Sequence, residues 1–219
     1  MSGRREIAIG LGCYAAYLAV RRAVWTKRGR DRALHNARSV VDFERSINIH
    51  TEPAVQAFTA RAPRVVDALN VGYAAANIAF SVGWLWWLHR NGDGSFQRER
   101  RAAVIAFAGA LPVFLAFPTA PPRKLDGFVD TLAVRGIDLE HPFLVRFYNP
   151  VAAMPSHHMA FAVVTGAGLA ARATGPLPRA AAHAYAPAVA LTVIATGNHY
   201  IVDVVAGAAL GLLARRFAR

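Results

Sequence analysis

The sequence predicts an all-α protein, a six-helix bundle integral to a membrane, with an amphipathic helix at the membrane surface after the first span. The 219-residue chain is 55% hydrophobic and only 17% charged, against roughly 25% charged residues in an ordinary soluble domain. Its 25 Lys and Arg outnumber 13 Asp and Glu, and they lie in clusters between long apolar stretches. Apolar stretches joined by basic loops are typical of membrane proteins, so residues 1–219 are predicted to form a single membrane domain.

Six apolar stretches are the predicted membrane-spanning helices, because each approaches the roughly 20 residues needed to cross the hydrocarbon core. The first stretch, 7–25, follows Arg4 and Arg5, so a signal peptide is the alternative. Arg21 and Arg22 stand where a small-residue cleavage site would be, which favours a retained helix whose arginines reach back to the interface. The six predicted spans are 7–25, 65–88, 102–118, 154–172, 180–197 and 200–214.

Residues 34–49 are predicted to form the interfacial helix, because apolar side chains recur there at helical spacing. They are Leu34, Ala37, Val40, Val41, Phe43 and Ile47. The basic loops between the later spans are expected in the cytoplasm, although the equally basic segment before the second span falls on the other side. The prediction is a multi-pass protein of the cell membrane.

A net charge of +12 raises the alternative of a nucleic-acid-binding protein. Long apolar blocks interrupt the Lys and Arg residues, however, and leave no continuous basic face to follow a phosphate backbone. The predicted partners are therefore membrane lipids, with no nucleic acid. The single Cys13 excludes a disulfide framework within the chain.

Three polar segments interrupt the apolar pattern, at 117–124, 154–158 and 197–203. They follow the third span, begin the fourth, and join the fifth to the sixth. Because successive spans alternate in direction, all three segments are expected at one membrane face. Under the predicted orientation, this is the extracytoplasmic face.

His199 and Asp203 are four residues apart, so on a helix they lie on one face within hydrogen-bonding reach. A carboxylate that holds one ring nitrogen fixes the tautomer and leaves the other nitrogen as a nucleophile or base. A purely structural hydrogen bond is the alternative. Ionisable groups within membrane segments are costly and usually functional, which favours a catalytic pair.

The segment that begins the fourth span suits an anion site. Pro155 fits a first helical turn, and the free amides there, with the Ser156 hydroxyl, would bind an anion. An imidazole on His157 or His158 would stand close enough to protonate a leaving oxygen. Arg123 is the type of side chain that binds phosphate oxygens in a bidentate way. These groups together indicate phosphoryl transfer without a metal or another cofactor.

Zinc held by the paired histidines with His199 and Asp203 is the alternative chemistry. Arg123 at the same face would repel a divalent cation, so no metal is predicted there. Gly207 and Gly211 are interpreted as a close-packing motif between helices. Five other histidines have no partner at a functional spacing and are interpreted as structural or incidental: His35, His50, His89, His141 and His183.

The motifs resemble those of the type 2 phosphatidic acid phosphatase superfamily. Pro155-Ser156-His157-His158 matches its Pro-Ser-x-His signature, and His199-x-x-x-Asp203 matches its His-x-x-x-Asp signature, about 40 residues later. The residues around both signatures are most similar to those of the inositol phosphorylceramide synthase-like (inositolphosphotransferase) branch. The resemblance covers about residues 110–215.

The resemblance implies a role for each residue that matches a motif. His199 resembles the nucleophile that becomes a phosphohistidine, with Asp203 orienting it, and His158 resembles the acid that protonates the leaving group. Ser156 and Arg123 resemble phosphate ligands. The predicted phosphate-binding set also includes Lys124, Asn198 and His157.

Two cations of the family pattern are absent. Ala116 stands where the family has a Lys seven residues before Arg123, and Val193 stands where it has an Arg six residues before His199. Lys124, Arg146 or His157 are the candidate substitutes, and Asn198 offers a neutral hydrogen bond. The alternative is a branch whose substrate carries a different charge.

The sequence thus predicts a membrane enzyme that acts on a phosphorylated lipid through a phosphohistidine, without a metal. It is either a phosphatase or a phosphotransferase that moves an inositol-phosphate-type headgroup. The branch resemblance favours transfer, and the small chain favours hydrolysis. Two alternatives from other classes stay open, a non-catalytic protein that binds lipid phosphates and a metal-dependent membrane hydrolase.

Overall fold

The computed structural model describes residues 3–219 and confirms the all-α prediction. Within that range the structure has helices and an isolated bridge between Thr119 and Ala152, but no named strand. The α-helices are α1 (Gly3–Val24), α2 (Lys27–Ser46), α3 (Glu52–Thr59), α4 (Pro63–Val71), α5 (Asn77–Arg90), α6 (Phe96–Ala116), α7 (His157–Arg172), α8 (Pro176–Ala195) and α9 (Ile201–Phe217). A π-helical turn occupies Gly72–Ala76, and three 3-10 turns cover Pro122–Lys124, Ala133–Arg135 and Leu144–Arg146.

The helices begin and end at other residues than the six predicted spans, and one predicted span is broken in its middle. The stretch 65–88 is two helical segments, Pro63–Ala75 and Asn77–Arg90, which meet at an angle of 49°. The stretch 154–172 becomes helical only at His157, because the Ser156 hydroxyl caps the helix by accepting the Met159 N–H at 3.2 Å. The other four predicted spans, 7–25, 102–118, 180–197 and 200–214, correspond to α1, α6, α8 and α9 with shifted ends.

Only one helix of the described chain, α1, is by itself long and apolar enough to cross a membrane, and the bent pair of α4 and α5 would make a second. Helices α7 and α9 have 16 and 17 residues, which corresponds to an axial length of about 24 to 26 Å. The hydrocarbon core is about 30 Å thick. The six-span arrangement therefore stays a prediction.

Helix α2 differs from the predicted interfacial helix 34–49. It begins at Lys27, after Thr26 caps it by accepting the Gly29 N–H at 3.0 Å, and it ends at Ser46. Part of its apolar face is covered by the protein itself, because it packs into a cluster with Ala120, Val151 and Tyr200. The α2 members of that cluster are Ala33, Ala37, Val40 and Val41, whereas Phe43 and Ile47 are exposed.

The bundle core lies around α7, which packs against α6, α8 and α9. Small residues let α9 approach α7 closely, as the glycine motif predicts. A Cβ atom at Gly211 would lie 2.8 Å from the Ala160 carbonyl oxygen, and one at Gly207 would overlap the Ser156 carbonyl oxygen.

An ion-pair cluster joins the start of α6 to the end of α9. Buried Glu99 accepts hydrogen bonds there from Arg98 at 3.1 Å and Arg215 at 2.8 Å.

Replacing Gly207 by Ala should destabilise the protein by about 1–3 kcal/mol, the usual cost of overpacking a closely packed contact. The new methyl group would push α9 away from the backbone that carries Ser156. Thermal unfolding in detergent, followed by circular dichroism, measures this loss. Gly83→Ala on α5 is the matched control, because its Cβ would meet no described atom within 4 Å. Equal unfolding temperatures for the two variants would contradict the close α7–α9 contact.

Candidate active site

The turn between α8 and α9 carries His199 and depends on a glycine. Gly197 has φ of +69°, a left-handed conformation that side-chain-bearing residues rarely adopt. A Cβ at this position would also lie 2.6 Å from the buried Gln56 amide nitrogen. The Gly197 carbonyl accepts the Arg123 backbone N–H at 2.9 Å, so the turn fixes the segment that carries the predicted phosphate ligand.

His199 and Asp203 lie together at the start of α9. The His199 Nδ1 atom is 3.3 Å from the Asp203 Oδ2 atom, and the same oxygen accepts the Tyr200 N–H at 3.0 Å. The side chains of His199 and Asp203 are 5% and 0% exposed, respectively. With Nδ1 on the carboxylate, Nε2 is the ring nitrogen available for chemistry.

His158 faces His199 from the first turn of α7. The centroids of the two imidazole rings are 5.7 Å apart. The Tyr73 ring packs on the His158 ring, with their centroids 4.6 Å apart. The His158 carbonyl accepts a hydrogen bond from Asn77 at 3.0 Å. Asn77 in turn accepts a hydrogen bond from the Tyr185 hydroxyl at 2.6 Å. Helices α5 and α8 thus hold the start of α7 in place.

Arg123 brings a buried positive charge to the same place. Its guanidinium donates to the Asn198 Oδ1 atom, and its Nε atom lies 3.3 Å from Asp130 Oδ2. Asn198 is held by Thr196, whose hydroxyl accepts from the Asn198 amide nitrogen at 2.8 Å. The predicted residues Arg123, Asn198, His158 and His199 therefore line one cavity.

The other predicted phosphate ligands lie elsewhere or have other partners. Lys124 is exposed, pairs with Glu140 at 3.0 Å and does not line the cavity. His157 lines it, but its ring stacks on Phe107 at 4.9 Å and its Nε2 atom meets the Phe107 carbonyl at 3.1 Å. The Ser156 hydroxyl caps α7 and is fully buried. Exposed Arg146 is also outside the cavity lining.

Val193 and Ala116, which stand where the family has cations, make other contacts in the structure. The Val193 side chain is fully buried in an apolar cluster with Met159 and Val204, and its carbonyl accepts the His199 N–H at 3.1 Å. The Ala116 carbonyl accepts a hydrogen bond from Arg32 at 2.5 Å. Arg32 does not line the cavity, whereas Arg123 does.

Several polar residues of the site were not predicted from the sequence. Tyr73, Tyr148 and Asn149 line the cavity, and burial raises the pKa of Tyr148, so its hydroxyl stays protonated and donates to the Leu139 carbonyl. No motif marks these residues: Tyr73 lies within the apolar stretch 65–88, and adjacent Tyr148 and Asn149 precede the 154–158 segment without a recognised spacing to it. A tyrosine within an apolar stretch is the signal that the sequence offers for Tyr73.

The cavity has a volume of about 1000 Å³ and continues from the histidines to the opposite end of the bundle. Its walls come mainly from α1, α5, α6 and α7, and its middle is apolar, with Tyr17, Ile78, Val104, Phe107 and Phe161. Glu6 and Arg100, joined by an ion pair at 2.6 Å, line its far end. The site thus combines a polar end at the histidines with a long apolar interior.

The fold and the site define a class of protein: an all-helical bundle with two facing imidazoles at one end. Within that class the chain belongs to the PAP2 superfamily, because the model of that superfamily matches residues 38–217. Membership implies a phosphatase-type enzyme and phosphate-ester substrates. The superfamily prediction is confirmed, and the branch stays a prediction. No curated protein and no solved structure matches the chain.

The two neighbouring cations Arg123 and Lys124 should differ in their effect on binding of a phosphate analogue. Arg123→Gln should weaken orthovanadate binding about tenfold or more, because a hydrogen bond to a charged group contributes about 1.5–3 kcal/mol. Lys124→Gln is the matched control and should change the affinity less than about twofold, since exposed ion pairs contribute little. Isothermal titration in detergent measures both affinities. Equal losses would show that the cavity does not define the anion site.

Proposed function

We propose that the protein is a metal-independent lipid phosphatase or phosphotransferase that works through a phosphohistidine at His199. One observation carries the proposal: His199 is held by Asp203 at 3.3 Å and faces His158 at one end of an apolar cavity. A nucleophile oriented by a carboxylate, with an acid on its other side, is the arrangement that covalent group transfer requires.

In the first step His199 Nε2 attacks phosphorus, and the bond between phosphorus and the leaving oxygen breaks. His158 in its protonated form gives its proton to that oxygen, and Arg123 with Asn198 binds the phosphoryl oxygens. Asp203 stabilises the positive charge that develops on the His199 ring, because its carboxylate lies at Nδ1. Charges that are fixed in position stabilise a transition state more strongly in a buried site than in water.

In the second step an acceptor oxygen attacks phosphorus and the bond to His199 Nε2 breaks. Neutral His158 takes the acceptor's proton, which restores its protonated form. Water as acceptor gives hydrolysis, and an alcohol gives transfer. The motif wording of the inositolphosphotransferase branch favours an alcohol, with an inositol-phosphate-type headgroup as the group that moves.

The apolar cavity supports a lipid as the phosphate ester. Its interior of about 1000 Å³ exceeds what a small phosphate ester fills, and pockets lined by apolar side chains bind apolar groups. A lipid whose phosphate lies at Arg123 would extend its tail between α1, α5 and α6.

The outer faces of the helices support a membrane location. Large apolar side chains are exposed on many helices, whereas soluble proteins rarely expose extended apolar surfaces. Examples outside the cavity lining are Leu11, Val65, Val71, Leu115, Leu191, Val205 and Leu212. We propose a multi-pass arrangement in the cell membrane, with the His199 end of the bundle at the extracytoplasmic face.

Substituting the two catalytic histidines should separate the two steps. With ³²P-labelled p-nitrophenyl phosphate, whose leaving group needs no acid, His158→Ala should still be phosphorylated. It should then accumulate the acid-labile, base-stable phosphohistidine, because the acceptor is no longer activated. His199→Ala should form none, and its turnover should fall by at least about 10³-fold.

His183→Ala is the matched control, because His183 is exposed on α8 and should leave turnover unchanged. Wild-type turnover in folded His199→Ala would overturn the proposal. Labelled phosphate released to water or carried to an inositol-containing acceptor then distinguishes phosphatase from phosphotransferase. Lipid binding by wild type with neither product would identify a non-catalytic binding protein.

Narrowing the cavity should affect long substrates selectively. Val104→Trp places a larger side chain in the cavity wall, and it should raise the KM for a long-chain lipid phosphate about tenfold. The KM for p-nitrophenyl phosphate should stay unchanged. Leu115→Trp is the control on the same helix, since Leu115 is exposed and outside the cavity lining. Equal KM changes for both substrates would contradict the tail-binding role of the cavity.

A further inference from the structure

A second cluster of ionisable residues lies outside the cavity, where α2, α3 and α9 meet. It consists of Glu44 on α2, Glu52 at the start of α3 and His50 between them. One oxygen of each carboxylate accepts a backbone N–H of α9: Glu44 from Val202 at 2.8 Å and Glu52 from Ile201 at 2.9 Å. The second oxygen of each carboxylate turns toward the His50 ring.

The atoms that face one another in this cluster have no hydrogen-bond partner among the described residues. They are Glu44 Oε2, Glu52 Oε2 and His50 Nδ1. Both glutamate side chains are 0% exposed, and the His50 side chain is 12% exposed. Two fully buried carboxylates at such close range are costly unless a positive charge compensates them.

The spacing of these atoms fits a coordination shell. His50 Nδ1 lies 3.5 Å from Glu44 Oε2 and 3.2 Å from Glu52 Oε2. One ligand atom from each of the three residues lies within 4.8 Å of the other two. Ligands at about 2.0–2.2 Å from a tetrahedral zinc ion are about 3.3–3.6 Å apart. Imidazole and carboxylate are also the ligand types that zinc takes in proteins.

We propose that Glu44, His50 and Glu52 bind one divalent cation of the zinc type. The two carboxylates neutralise its charge, and the imidazole contributes a neutral nitrogen. None of the three residues lines the catalytic cavity, so this cation is structural and takes no part in phosphoryl transfer. It joins α2 and α3 to the first turn of α9, which carries Asp203.

Metal analysis of the purified protein tests the site. The chain is purified in detergent with a tag that contains no histidine, stripped with EDTA, reloaded with zinc chloride and desalted. Reloaded wild type should hold about one zinc per chain by elemental analysis. Stripping should lower the unfolding temperature, and zinc chloride should restore it. X-ray absorption should find one imidazole in a shell of nitrogen and oxygen ligands.

Variants locate the metal within the molecule. His50→Ala and the nearly isosteric Glu52→Gln should hold no zinc. Glu140→Gln is the matched carboxylate control, and His158→Ala is the control for the catalytic cavity, so both should retain about one zinc. Because metal content is measured without substrate, the outcome is independent of the proposed enzyme activity.

Three results would overturn the proposal. The first is folded wild type that takes up no stoichiometric zinc, which would mean that protons rather than a metal compensate the buried carboxylates. The second is an unfolding temperature that does not respond to zinc. The third is metal that His158→Ala loses and His50→Ala retains, which would place it in the catalytic cavity. If His50→Ala does not fold, Glu52→Gln and the wild-type reloading decide the question.

Discussion

The first amides of α9 are the constraint on which the site depends. A helix begins with N–H groups that have no partner within the helix, and here they are buried. Three carboxylates accept them: Asp203 from Tyr200, Glu52 from Ile201 and Glu44 from Val202. The positive end of the helix dipole favours these negative charges. The same contacts fix where α9 starts, and therefore where His199 lies.

This arrangement gives the amino-terminal helices a part in the catalytic site. The sequence motifs lie within about residues 110–215, but the match to the PAP2 superfamily begins at residue 38, before Glu44 and Glu52. Helix α2 also packs on Ala120 and Tyr200, the sequence neighbours of the cavity-lining residues Pro121 and His199. The family region thus includes the side chains that hold α9 as well as those expected to do chemistry.

The sequence predicted the parts of the site that depend on local spacing. The four-residue spacing of His199 and Asp203 predicts their contact, and the structure makes it with His199 just before Tyr200, the N-cap of α9. The alternation of helix direction likewise places Arg123 near His158. Contacts between distant segments could not be predicted this way. Nothing local indicates that Lys124 pairs with Glu140, or that His157 stacks on Phe107.

The same limit applies to the helices. Helical periodicity identifies an apolar face but not what covers it, so the sequence predicts lipid against a face of α2 that the structure partly covers with protein. Glu44 and Glu52 are eight residues apart in sequence and about 150 residues from the amides that they accept. In a sequence they are ordinary surface acids, because only the tertiary structure buries them.

A cavity that begins at His199 and ends beside Arg100 also bears on reversibility. Under the proposed function, an apolar leaving group would not diffuse away when its bond to phosphorus breaks, because its tail would stay between Val104 and Phe107 in the cavity. Its oxygen would then remain next to the phosphorylated imidazole, at a high effective concentration. Return of the phosphoryl group to the same lipid would therefore compete with the onward reaction. The net direction would be set by which molecule reaches the histidine while the first product is still bound.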